Sequence, residues 1–242
     1  MKKRCLLIGA PDAIILKGVQ KDIASMYQFL RSNTGGAWED NEIIKIENPP
    51  KNELQGLLQE NKYYDFVFIL FSGHGGTSPI DKKGYACVNE KEEMIRIDEL
   101  VNKAEKEIVI FDSCRSPLTS PFLKFSESME AVRALRTLYR SKYEQKIEQA
   151  EKGFILLFAS SYGEPANQTD DGGIFTQSLI NAGTLVKNGR KNLMDINEAF
   201  LIAKEDVKAK YNQQNPDKAC APVGRNTWFP FALKIDLFHD FS

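Results

Sequence analysis

Short apolar runs alternate with stretches of helical spacing through most of the chain. Strands are predicted at residues 4–9, 42–46, 66–71, 108–111 and 153–159, with a last one at 231–235. Between them, Ile23, Met26, Tyr27 and Leu30 recur at helical spacing within residues 19–31, and Gly35-Gly36 ends that unit. Pro49-Pro50 opens a helix carrying Leu54, Leu57 and Leu58. Further helices are predicted over residues 174–186 and 195–211, followed by a polar loop at 212–226. This alternation implies βαβ crossovers, hence an α/β fold with a mostly parallel sheet and helices on both faces.

Two segments depart from the alternation. Residues 84–88 and 94–97 flank the polar stretch 89–93 and read as a small hairpin leading into a helix capped at Asp98. After a Ser/Pro-rich stretch at 116–120, a long charged helix is expected from about 127 to 152, with apolar teeth at Val132, Leu135, Leu138 and Tyr143. That helix is the least core-like part of the sequence. No internal repeat, low-complexity tail or domain boundary interrupts the 242 residues.

Composition narrows the function classes. With 42% hydrophobic and 27% charged residues, the chain can bury a two-sided sheet without disulfide or metal staples. A formal net charge of -1 offers no electrostatic footprint for nucleic acid or an anionic membrane. Pro11-Asp12 cuts short the apolar run that follows Met1-Lys2-Lys3-Arg4, and nothing reaches the roughly 20 apolar residues of a membrane helix, so a cytoplasmic protein is expected. Cys5, Cys87, Cys114 and Cys220 lie far apart without a C-x-x-C pair, and the only histidines are His74 and His239. Reduced thiols are expected, with no zinc site. Cys5 in a strand and Cys87 in the hairpin read as small core hydrophobes, and Cys220 as a loop residue.

The candidate chemistry sits where two apolar runs break off. Phe66–Phe71 runs into Ser72-Gly73-His74-Gly75-Gly76, and Ile108–Phe111 into Asp112-Ser113-Cys114-Arg115-Ser116. If those strands are neighbours in a parallel sheet, an imidazole and a thiol meet at its carboxyl edge, where open α/β sheets place their ligands. A thiol with a base to take its proton is the minimal kit for acyl transfer, so Cys114 reads as nucleophile and His74 as base. The N–H groups of Gly75 and Cys114 would face a developing oxyanion. Taken singly, His74 could be a turn cap and Cys114 an inert strand-end thiol.

S-G-H-G-G followed by D-S-C-R-S resembles the His and Cys motifs of caspase-type peptidases. Forty residues separate the two side chains here, against about 50 in caspases, and Asp112 stands where caspases carry Gln. D-S-C is closer to metacaspases and bacterial caspase-like proteins. The resemblance extends through Leu6–Gly9, residues 16–23, Ala159-Ser160-Ser161 and Gly173–Thr176, nearly the whole chain. It implies a caspase-like three-layer sandwich with a six-stranded sheet in one domain, 1–242. A large-subunit-like part would cover about 1–115, a linker and helical insert 116–152, and a small-subunit-like part 153–242.

The resemblance also implies a substrate class. Asp112 and Asp22 match the carboxylates that line the pocket for the residue before the cut, which favours Arg or Lys there. Ser160 would form a pocket wall; Gln168 falls where relatives carry a third acid, for which Glu164 could substitute. The bland alternatives are an exposed helix residue for Asp22 and a strand-end cap for Asp112. Pro117 after Ser116 departs from the usual x-Ser-Gly and alters the loop, not the nucleophile. Arg133, Arg136, Arg140, Lys142 and Lys146 are basic points at which the insert could be self-processed, or else a solvated helical face. No cofactor is required, and Asp170-Asp171-Gly172 alone hints at calcium. Expected partners are protein or peptide substrates with basic residues, not nucleic acid or membrane, with oligomeric state open. A catalytically silent caspase-like module is the competing reading; an acyltransferase or other thiol hydrolase is a third.

Overall fold

Five of the apolar runs become strands of a single sheet. The computed structural model describes residues 1–10, 18–101, 103–116, 134–189 and 191–235. Pro11-Asp12, Leu16, Pro117, Val132, Arg133 and His239 lie outside the described residues, as does the first part of the expected charged helix. In chain order the first elements are β1 (Lys3–Ala10), α1 (Gly18–Arg31), β2 (Ile43–Glu47), α2 (Lys51–Glu60) and β3 (Phe66–Gly73). There follow β4 (Gly75–Thr77), β5 (Gly84–Cys87), β6 (Met94–Arg96) and β7 (Lys106–Asp112). The remainder comprises α3 (Ala134–Gln149), β8 (Gly153–Phe158), β9 (Gln168–Thr169), β10 (Gly172–Gly173) and α4 (Ile174–Thr184). Last come β11 (Leu193–Asp195), α5 (Ile196–Lys210), β12 (Asp217–Ala221) and β13 (Pro230–Leu233).

The main sheet has the order β12-β8-β7-β3-β1-β2, parallel throughout except for β12, which runs antiparallel to β8. Its central strands are buried on both faces, which is why they read as continuous apolar runs rather than alternating ones. Leu7, Phe68, Ile110 and Leu157 face Met26 and Leu30 of α1, Tyr143 of α3, Phe175 of α4 and Phe200 of α5. Ile8, Ile69, Val109 and Leu156 face Leu54 and Leu58 of α2 and the small β4-β5-β6 sheet. The result is the expected three-layer α/β sandwich. Asp195 starts α5 as expected, its Oδ1 accepting the Glu198 N–H (2.8 Å). Among the described residues no helix is long and apolar enough to cross a membrane.

Four expectations need correction. The sixth strand of the sheet is Asp217–Ala221, inside the segment expected to be a polar loop, so Cys220 lies on an edge strand paired with Ile155. Half-exposed Asp-Lys-Ala-Cys-Ala carries almost no apolar signal; the open edge of β8 makes it a strand. The expected last strand, now β13, does not join the sheet: it pairs with β11 and packs against α3, α4 and α5. Among the described residues no α-helix follows Asp98: a single 3-10 turn, Ile97–Glu99, stands there, and β7 already begins at Lys106.

The fourth correction concerns α3, which is bolted to the core. Tyr143 and Ile147 are fully buried, and the Tyr143 hydroxyl donates to the Pro230 carbonyl (2.9 Å). Gly36, at φ +104°, lets the ring pass: a Cβ there would fall 2.7 Å from it. Arg140 grips Glu42 with two nitrogens (2.7 and 2.6 Å), and Glu42 and Glu144 both receive the buried Lys3 ammonium (2.9 and 2.7 Å). Arg136 donates to the Arg31 carbonyl (2.6 Å) and pairs with Glu39 (3.3 Å). Two of the five basic residues expected on a free or cleavable face are therefore tied down.

Candidate active site

The parallel register of β3 and β7 determines what meets at the sheet's edge. Ser72 pairs with Asp112 as the last rung, and His74 and Cys114 each follow two residues later. Neighbouring strands lie about 4.8 Å apart, so the two side chains start from adjacent strand ends at equal height. Both are half-buried.

Beyond Gly73 the chain leaves the main sheet and enters β4. The Cys87 N–H donates to the His74 carbonyl (2.9 Å), and Gly75 stands opposite Ala86. In the alternation of an antiparallel ladder, the Gly75 N–H then faces away from β5. A Cβ on Gly75 would fall 2.3 Å from Ser113 Oγ and 2.8 Å from the Tyr85 carbonyl, so only glycine lets the histidine loop lie against the residue before the thiol. Thr77 adds a second tie, its hydroxyl donating to the Arg115 carbonyl (3.0 Å).

The thiol is bracketed by the backbone of one residue of the β8–β9 loop: Sγ donates to the Ala166 carbonyl (3.5 Å) and accepts the Ala166 N–H (3.4 Å). Burial pushes its pKa up, the Ala166 N–H opposes that, and the Asp112 charge adds to it. Arg115 turns from the thiol, its guanidinium 4.1 Å from the Phe158 ring centroid and 3.5 Å from Asp217.

Asp22 and Asp112 come together at the start of α4. A Cβ on Gly173 would fall 2.4 Å from Asp112 Oδ2 and 3.0 Å from Asp22 Oδ2. Asp22 is wholly buried, which overturns the reading of it as an exposed helix residue. It accepts from Ser72 Oγ (2.8 Å), the Gly173 N–H (2.9 and 3.0 Å) and Gln177 Nε2 (2.9 Å). Asp112 Oδ2 accepts the Thr176 N–H (2.9 Å) and hydroxyl (2.6 Å), and so caps a helix whose N-cap, Gly173, has no side chain. Loss of water pushes both carboxyls up; the Asp112 charge raises Asp22 further, and the surrounding donors pull both back.

The other expected residues scatter. Ser160 is buried, its hydroxyl donating to the Glu164 carbonyl (3.1 Å). Gln168 packs on the first residue of α1, where a Gly18 Cβ would fall 2.6 Å from its Cγ. Glu164 does not stand in as a third pocket acid: its oxygens accept the Asn215 N–H (2.8 Å), Asn215 Nδ2 (2.9 Å) and the Ser161 N–H (3.2 Å). Asp170 and Asp171 are exposed between β9 and β10. Among the described residues no three His, Cys, Asp or Glu side chains are grouped to hold a metal ion. Sequence reasoning gave no role to Ser72, Thr176, Gln177, Ala166, Gln214 or Asn215. Ser72 and Thr176 had a signal, in the S-G-H-G-G and Gly173–Thr176 motifs; the others reach the site from elsewhere in the chain.

Comparison with known proteins bears on the family and the fold. The caspase-domain family model matches residues 2–226. The crystal structure of caspase-1 from Spodoptera frugiperda superposes with a TM-score of 0.60 at 13% identity, covering 90% of this chain and 86% of that one. A structural-genomics target protein from Geobacter sulfurreducens superposes with a TM-score of 0.58 at 14% identity, covering 91% and 94%. No curated protein matches. At such identities the superpositions speak for the fold, while the family match spans nearly all of the sequence, and the chain belongs to the caspase-domain family.

Proposed function

We propose that the protein is a cysteine endopeptidase that cuts after Arg or Lys. The observation that carries this reading is the β3–β7 register, with His74 and Cys114 each two residues past the Ser72–Asp112 rung. The family is one of cysteine peptidases. A thiol whose pKa burial has raised is mostly protonated near neutral pH, so attack needs a base, and His74 is the imidazole at the same edge. Cys114 Sγ bonds to the scissile carbonyl carbon as its proton passes to His74. The oxyanion is met by the N–H groups of Gly75 and Cys114; His74 then protonates the leaving amine, and water hydrolyses the thioester.

Specificity follows from the buried acid pair. Dehydration pushes both carboxyls up, the Asp112 charge raises Asp22 further, and among the described residues no ion pair neutralises either, so a guanidinium or ammonium would supply the counter-charge. Gln168 flanks this region from β9, opposite Gly173. Self-processing, if the insert is cut, falls before α3, where Lys124 and Arg133 are basic residues; Arg136 and Arg140 are locked in a packed helix, and peptidases take extended substrates.

The test is a panel of fluorogenic peptides with Arg, Lys or Asp at the cleaved position, run on native protein and Cys114→Ala with and without calcium. Cleavage of the basic peptides by native protein alone supports the reading. Binding without cleavage would favour a silent module, and acyl transfer without free peptide ends an acyltransferase. The calcium arm tests Asp170-Asp171-Gly172.

A further inference from the structure

Ala166, whose backbone brackets the nucleophile, belongs to a loop with little structure of its own. It is stapled from outside by two consecutive residues. Gln214, fully buried, accepts the Asn167 N–H (2.8 Å) and Nδ2–H (3.0 Å) at the loop's end and donates to the Ala159 carbonyl (2.9 Å) at its start. Asn215 donates its N–H and Nδ2–H to Glu164 and accepts the Ser161 hydroxyl (2.9 Å) on its carbonyl. Glu164 also takes the Ser161 N–H, and its carbonyl takes the Arg115 N–H (3.0 Å), tying the middle of the loop to the residue after the thiol. Ala166 lies between Glu164 and Asn167, so both staples bear on it.

We infer that Gln214, Asn215 and Glu164 are positioning residues for Cys114: they hold the Ala166 N–H on the sulfur, where it stabilises the thiolate as the proton leaves. An N–H donor to a charged acceptor is among the stronger hydrogen bonds, while the Ala166 carbonyl serves the neutral thiol only. The other charged or titratable groups around the sulfur are Asp112 on its own strand, Arg115 turned to Asp217, Glu164 turned to Asn215, and His74 beyond β3. Burial works against the Glu164 charge, but its three donors hold the carboxyl below the usual glutamate range. The inference rests on Cys114 being the nucleophile, yet its test needs no hydrolysis.

The experiment is the pH dependence of Cys114 alkylation by iodoacetamide, resolved by peptide mass spectrometry on folded protein, with Cys220 as internal reference. Gln214→Met removes the staple without changing charge. It should raise the half-maximal pH of Cys114 by about one unit, or slow alkylation about tenfold near neutral pH, leaving Cys220 unchanged. Asn215→Asp sets two carboxylates face to face and should shift the profile likewise. Glu164→Gln combined with Asn215→Asp exchanges donor and acceptor at native net charge and should restore it. An unchanged Cys114 profile in folded Gln214→Met overturns the inference, as do equal shifts in Asn215→Asp and the double variant; the latter pair decides if Gln214→Met does not fold. If the profiles shift as expected but native protein cleaves no peptide, the positioning stands and the peptidase reading falls.

Discussion

Asp112→Asn separates the two jobs that Asp112 holds. Its Oδ2 takes both Thr176 donors, and an amide oxygen can do the same, so the cap on α4 survives as neutral hydrogen bonds. The cost is about 1 kcal/mol, which in a chain of this size is about 2–4 °C in melting temperature, offset by relief of repulsion with Asp22. The effect on a basic substrate is larger. A hydrogen bond to a charged partner in a dry site is worth about 1.5–3 kcal/mol, so kcat/KM for Arg and Lys peptides should fall roughly 10- to 150-fold. A pH series adds a signed test. Asp112 has a folded-state pKa above its ordinary 3.8, so the native state binds more protons than the unfolded one between those values. The native chain therefore loses stability from this group as pH rises from about 4 through the raised value. The variant should lack that loss, which appears as a difference between the two stability–pH curves measured by thermal melts. Unchanged cleavage of basic peptides by a folded variant would refute the pocket, and identical curves would refute the raised carboxyl.

Other perturbations test other parts of the structure. Cys114→Ala should melt within a few degrees of native protein and cleave nothing; retained hydrolysis in the peptide assay would move the nucleophile elsewhere. Gly75→Ala drives a methyl into Ser113 Oγ and the Tyr85 carbonyl, and should cost about 1–3 kcal/mol in chemical denaturation and most of the activity. Lys3→Met strands Glu42 and Glu144 against Arg140 alone and should lower stability by about 3–5 kcal/mol. A change within 0.5 kcal/mol would show that the buried cluster does not hold α3.

The strands and the two reactive motifs were legible because burial on both faces writes itself locally. Phe66–Phe71 and Ile108–Phe111 must be apolar throughout to lie inside a parallel sheet, and the chemistry starts where that requirement stops. The same logic fails where burial comes from one side or from afar. Asp217–Ala221 is a strand only because β8 offers it an open edge. The helix at 134–149 looks like a solvated face, yet its Arg136 and Arg140 meet Glu39, Glu42 and Glu144 rather than water. Helical spacing alone does not separate a pocket carboxylate from a surface one at Asp22; that is decided where the fold brings Ser72, Gly173 and Gln177 around it.

Residue order alone therefore determined the layers, the neighbouring βα units and the presence of His74 and Cys114 at strand ends, since each depends on side chains close together in the chain. Tertiary structure alone decided which donors at the start of α4 clasp Asp22 and Asp112, and that Gln214 and Asn215 hold the loop against the sulfur. Those contacts join residues up to 151 positions apart, and a hydrogen bond across that distance leaves no periodic trace in the amino acids between its ends.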